Sequence, residues 1–308
     1  MKEGILKSDT RSMARAISYI EDGNAEIRKE ILESLYPHCG KAQVVGITGP
    51  PGIGKSTTIG NLAITLANKG KKVSVLAVDA SSPYSGGSLL GNRIRMQDAL
   101  FTHGIYMRSL ANRGARGGLS ESSMGAVNIL DASGSDIIII ETVGAGQADL
   151  DIMNLADTTV LILGPGLGDQ IQAIKAGIME IADIFVINKM DLDGAYFAMK
   201  DIEEILSMDD PRPMKRTVVG TSSIDNTGYT EMADAILGHG KLLEQTSSIG
   251  KKRFLMGARW ILEREIGRSI IDPVMELIGK MGPDVNAYKL AEELVSEIKK
   301  NSITSIIK

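Results

Sequence analysis

Gly49-Pro50-Pro51-Gly52-Ile53-Gly54-Lys55-Ser56 sets a lysine and a hydroxyl directly after a glycine-rich turn. Residue types in this order suit the capture of a polyphosphate. Glycines let backbone N–H groups turn inward around phosphate oxygens, while the lysine reaches the β- and γ-phosphates and the serine hydroxyl ligates Mg²⁺. The apolar run Val44-Val45-Gly46-Ile47-Thr48 precedes the turn, and a helix-prone stretch from Thr57 to Lys69 follows it. That is the strand, loop and helix order a P-loop requires, and the helix N-terminus adds partial positive charge. Gly49, Pro50, Pro51, Gly52, Ile53, Gly54, Lys55, Ser56 and Thr57 are therefore predicted to bind a nucleoside triphosphate.

A second set of residues addresses the base. Asn188-Lys189-Met190-Asp191 follows the apolar run Ile184–Ile187. A carboxylate at Asp191 can accept from N1–H and the exocyclic amine of guanine, a donor pair adenine lacks. Sites built on such bonds discriminate by roughly 10⁴ or more. GTP is expected over ATP, with Thr221, Ser222 and Ser223 supporting the base through backbone N–H groups. Ser/Thr clusters also commonly just end strands.

Acidic residues close two further runs. Asp79 ends Val73–Val78, and Glu141 ends Ile137–Ile140 and opens Glu141-Thr142-Val143-Gly144. Either carboxylate can join Ser56 in holding Mg²⁺ or orient the attacking water. Gly144 would offer its N–H to the γ-phosphate. The bland alternative for both acids is a cap on the next segment. Gly/Ser-rich stretches at Ser81–Met96 and Ser109–Ser120 carry Arg93, Arg95, Arg113 and Arg116 and have the composition of switch or partner-binding loops. Lys175 follows another such loop; it could neutralise transition-state charge, or simply be solvated. Cys39 and His38 have the types of a metal or nucleophile pair, but they precede a glycine outside the nucleotide core, and no role is expected of them.

These residues need a scaffold that gathers strand ends. Apolar, β-branched runs at Val44–Thr48, Val73–Val78, Ile137–Ile140, Val160–Leu163, Ile184–Ile187 and Val218–Val219 alternate with amphipathic stretches at Ile59–Lys69, Glu121–Asp131, Asp169–Ile181, Tyr196–Met208 and Thr230–Lys241. This pattern predicts an α/β, three-layer P-loop NTPase fold with a mostly parallel central sheet and the ligand at the carboxyl ends of its strands. Helical extensions flank it, giving expected divisions of 1–42, 43–242 and 243–308. The outlying apolar stripes would pack onto the core or form an oligomer interface. A net charge of −4 and a pI near 5.6 argue against a nucleic-acid binder. One cysteine, and no apolar run long enough to span a bilayer, lead to the expectation of a cytoplasmic protein with no membrane partner.

GPPGIGKST, VDASSP, GGSLLGNRIRM, ETVGAGQAD, GDQIQAIKAGI and NKMD occur in that order. Together they resemble the MeaB/ArgK-type P-loop GTPases, with nearly the whole chain, from about Arg11 to Lys300, covered by the likeness. The resemblance implies a homodimeric, Mg²⁺-dependent GTPase that cycles between GTP and GDP. It implies a chaperone that gates adenosylcobalamin loading and protects an acyl-CoA mutase of the methylmalonyl-CoA mutase type, with an adenosyltransferase as an optional further component. By motif it assigns Asp79 and Glu141 to the metal and catalytic positions and Lys175 to a switch lysine. Asn92 stands where the family usually has aspartate, and Asp149 where glutamate is more usual. A nickel-type metal-insertion GTPase and a transport-associated small-molecule kinase are the alternative functions. The three scattered histidines weigh against the former, and the absence of any marked acceptor pocket weighs against the latter.

Overall fold

The computed structural model describes residues 1–22, 25–80, 96–112, 121–142, 155–166, 178–208, 215–267 and 271. Two compact units divide the chain, residues 1–256 and 257–308. The first contains a seven-stranded sheet of β1 (Gln43–Thr48), β2 (Val73–Ala80), β3 (Tyr106–Asn112), β4 (Ile137–Thr142), β5 (Thr158–Leu163), β6 (Ile184–Ile187) and β7 (Thr217–Gly220), in the order β3-β2-β4-β1-β5-β6-β7. Every pairing is parallel.

Strands β1, β4, β5 and β6 are buried along their whole length, which is why they read as unbroken apolar runs rather than alternating ones. Successive side chains point to opposite faces. On one face Val44, Leu76, Val78, Leu110, Ile138 and Ile140 pack against the N-terminal helices α1 (Lys2–Leu6), α2 (Thr10–Asp22) and α3 (Ala25–Leu35) and against α5 (Glu121–Ala132). On the other, Val45, Ile47, Val75, Ile139 and Ile162 meet α4 (Lys55–Asn68) and α8 (Tyr229–Gln245). A third cluster joins Leu161, Leu163, Phe185 and Ile187 to α6 (Ile178–Ile181) and α7 (Ala195–Met208).

The N-terminal apolar stripe thus packs back onto the sheet. Ile17, Ile20 and Leu35 are fully buried, whereas Ile27 remains exposed. The N-terminal helical extension is built of three helices, α1, α2 and α3. β3 is a further departure from expectation. Ser109–Asn112, expected to begin a loop, instead completes this edge strand, which pairs with β2 from Ser74↔Tyr106 to Ala80↔Asn112. α9 (Lys251–Ile266) begins in the first unit, and the unit boundary lies within it.

Chain order reverses around β1. The path from β1 to β2 runs to one side, while β5 enters on the other. Crevices form at such a point outside the carboxyl ends of parallel strands, and here that end carries Gly49–Ser56.

Candidate active site

Gly49 follows β1 with φ of 152°, and a Cβ there would lie 2.2 Å from the Ile162 carbonyl oxygen. The turn can therefore hug β5 only as glycine. Gly54 (φ 98°) is the N-cap of α4; a Cβ on it would meet the Asn188 amide nitrogen at 2.6 Å. With no side-chain cap at Gly54, the first-turn N–H groups of α4 are left to a ligand, the arrangement that suits phosphate. Lys55 is buried, and its Nζ donates to the carbonyls of Gly49 (2.7 Å) and Pro50 (3.1 Å). The ammonium is thus held inside the curve of the loop.

Ser56, one residue further along α4, donates its hydroxyl to Glu141 Oε1 at 2.5 Å. Glu141 sits near the end of β4, in register with Ile47 of β1 and Ala77 of β2, so the sheet itself aims it at the P-loop. It is buried, and its Oε2 has no hydrogen-bond partner among the described residues. A buried carboxylate oxygen left unmatched beside a serine hydroxyl is a donor set that fits a hard divalent cation or its water. Asp79 is the penultimate residue of β2, opposite Ala111 of β3, which brings its backbone to the same edge. Gly144, Lys175 and the loop residues Asn92, Arg93, Arg95, Arg113, Arg116 and Asp149 lie outside the described residues.

The base-side residues bind one another and the P-loop. Asn188 is buried, donating Nδ2 to the Ile53 carbonyl (2.8 Å) and accepting at Oδ1 from Thr221 Oγ1 (3.1 Å). Lys189, in the left-handed region at φ 62°, donates Nζ to the Gly52 carbonyl at 3.1 Å. Asn188 and Lys189 are therefore braces that fix the base loop against the phosphate loop. Ser222 donates its hydroxyl to Asp191 Oδ1 at 2.7 Å and also lies 3.0 Å from Asp225 Oδ2. Asp191 itself stays exposed.

The backbone tells a different story from the expected one. The Thr221 N–H bonds the Ile187 carbonyl and the Ser222 N–H bonds the Thr227 carbonyl, so neither points to a ligand. Ser222 acts through its hydroxyl on Asp191, and Ser223 bonds the Tyr229 hydroxyl at 2.7 Å. Asp225 and Tyr229 escaped the sequence reading. A Cβ on Gly164 would strike Ile53 at 2.5 Å; only its position after an apolar run hinted at a role.

Cys39 and His38 stand apart from this site. The Cys39 thiol donates to the Leu35 and Asn128 carbonyls, and burial, aided by the nearby Asp131 charge, pushes its pKa up to about 12. It is a structural thiol.

Residues 13–274 match the family model described as methylmalonyl Co-A mutase-associated GTPase MeaB. A Pyrococcus abyssi protein is 40% identical over 98% of this chain and 91% of its own length. The GTPase ArgK of Escherichia coli is 31% identical, over 83% of this chain and 80% of its own. A crystal structure described as a LAO/AO transport system kinase superposes over 97% of this chain and 96% of that one, with a TM-score of 0.68 and 22% identity, a likeness of fold. With a P-loop on β1 of an all-parallel sheet and an NKMD loop braced against it, the chain belongs to the MeaB family of GTPases, the family named for its association with methylmalonyl-CoA mutase.

Proposed function

We propose that this GTPase is a Mg²⁺-dependent, homodimeric chaperone whose GTP hydrolysis gates adenosylcobalamin loading of a methylmalonyl-CoA mutase-type enzyme and protects that enzyme. The observation that carries the reading is the contact between Ser56 and Glu141. It ties the phosphate-binding helix α4 to the end of β4, so a ligand that engages Ser56 would act on that strand end. The family's association with the mutase supplies the partner.

Hydrolysis would be in-line attack of water on the γ-phosphorus. A water-oxygen bond to phosphorus forms as the bond to the β,γ-bridging oxygen breaks, and GDP leaves. Lys55 would exchange its two loop carbonyls for β- and γ-phosphate oxygens. Glu141, through its unmatched Oε2, would accept a hydrogen bond from water and hold it. Asp191, oriented by Ser222, would select guanine. Mg²⁺, held by Ser56, Asp79 and Glu141, would supply neutralisation of the phosphate charge. Gly144 and Lys175 are proposed to complete the γ-phosphate contacts.

The test is GTP turnover with Mg²⁺, alone and with an adenosylcobalamin-dependent methylmalonyl-CoA mutase from the same source. Stimulation is expected, since partner-supplied groups can be worth roughly 10³–10⁵ in rate. Hydrolysis untouched by the mutase, together with unaltered cofactor loading, would remove the chaperone role and leave the GTPase.

A further inference from the structure

The sheet has a second pole. At the amino ends of β1 and β4, opposite the P-loop, lies a cleft of about 630 Å³, a size suited to a small ligand. It is separated from the phosphate loop by the length of β1, about 20 Å at ~3.3 Å per residue. None of its lining residues belongs to the nucleotide site.

Lys41, Lys71 and Lys241 contribute to its wall, are exposed, and form no ion pair among the described residues. Two of its carboxylates are already committed. Asp131, buried, accepts from the Gly40, Lys41 and Ala42 N–H groups and faces Arg253 at 3.4 Å; Asp136 accepts from the Lys72 N–H at 2.7 Å. Glu244 also lines the cleft. Gln43 presents a different chemistry. Its side chain is buried, and Nε2 is spent on Thr158 Oγ1 (2.8 Å) and the Ile236 carbonyl (2.9 Å). Its acceptor, Oε1, is therefore the group left for a ligand, and it lies so close to α8 that a Cβ on Gly240 would meet it at 2.3 Å. Ile137 and Leu237 provide apolar wall.

Lys41, Lys71 and Lys241 outnumber the two exposed carboxylates, Asp136 and Glu244, and with one fixed amide acceptor and an apolar strip they match a molecule with an anionic end and an uncharged body. We infer that this cleft is a second ligand site, taking a small phosphate-bearing anion whose organic part offers a hydrogen-bond donor to Gln43. The assignment is independent of the chaperone reading.

The experiment is calorimetric titration of the full chain with inorganic pyrophosphate at low salt. Saturating GDP keeps the P-loop filled, and free Mg²⁺ is held constant. One site is expected, weakened about 10-fold or more in a Lys41→Ala/Lys241→Ala variant and unchanged in Lys29→Ala, which lies on the exposed part of α3. These are surface substitutions, and thermal melting verifies that each variant folds. No binding to the GDP-loaded protein, or equal binding by the double variant, overturns the proposal. Preferential binding of a hexaglutamate peptide over pyrophosphate overturns it too, by assigning the cleft to an acidic polypeptide.

Discussion

Asp191, proposed to select guanine, has its carboxylate set by a neighbour. Ser222 occupies part of Oδ1, so the remaining lone pairs would be left for a base that brings two donors. Asp191→Asn replaces an acceptor with a donor at that spot. Preference for GTP over ATP is expected to fall by about 10²-fold or more in a competition assay; an unchanged preference would move base recognition elsewhere. Cys39 is the opposite case, a group whose surroundings silence it. A thiol with a folded pKa raised to about 12 favours the fold while both states are protonated. That contribution is lost as pH rises from the unfolded thiol range toward the folded value. Native protein should therefore react with a thiol reagent at pH 8 much more slowly than the chain unfolded in urea. Equal labelling rates in the two states would contradict the raised pKa. The sequence marked Cys39 as outside the nucleotide core, but burial and the Asp131 charge were decided by residues almost a hundred positions away.

Among the elements, strands were legible where both faces are buried, because their side chains are apolar throughout. β3 was not. It lies at the sheet edge and carries Arg108, which donates to Glu21 and Ser18 of α2, so its sequence shows no clean apolar run. The joints between elements were equally hidden. Arg253, on the first turn of α9, is buried between Asp131 of α5 and Asp157 ahead of β5, and donates to the Ala42 carbonyl at 2.9 Å. Asp157 also accepts from the Gly250 and Val44 N–H groups, each at 2.9 Å. Removing one partner of such a network leaves buried charge uncompensated. Arg253→Ala is expected to cost about 3–5 kcal/mol, read from urea unfolding. Arg253→Lys should recover only part, because an ammonium cannot reproduce the guanidinium fork. A loss below about 0.5 kcal/mol for the alanine variant would place the arginine among ordinary surface residues.

For the whole molecule, the sheet needs cover on both faces, and one cover is the N-terminal segment. Met13, Ile17, Ile20 and Leu35 share a core with β1, β2 and β4. Deleting residues 1–35 would uncover that face. Dye-binding and aggregation assays should report exposed apolar surface, even though every nucleotide motif remains. A monodisperse truncated protein with native GDP affinity would show the segment to be dispensable. Features that depend on consecutive residues were legible in the sequence alone: the glycine turn of Gly49–Ser56, the Asn188–Asp191 run after a strand, and the alternation that sets a parallel sheet. A phosphate loop is a local backbone shape, and a parallel strand buried on both faces has a local composition. What only the tertiary structure decided were relations across the chain. Ser56 meets Glu141, Asn188 braces Ile53, Ser222 aims Asp191, and Arg253 joins Asp131 to Asp157. Such pairs depend on which strands become neighbours and in what register, and spacing along the sequence carries almost no record of that.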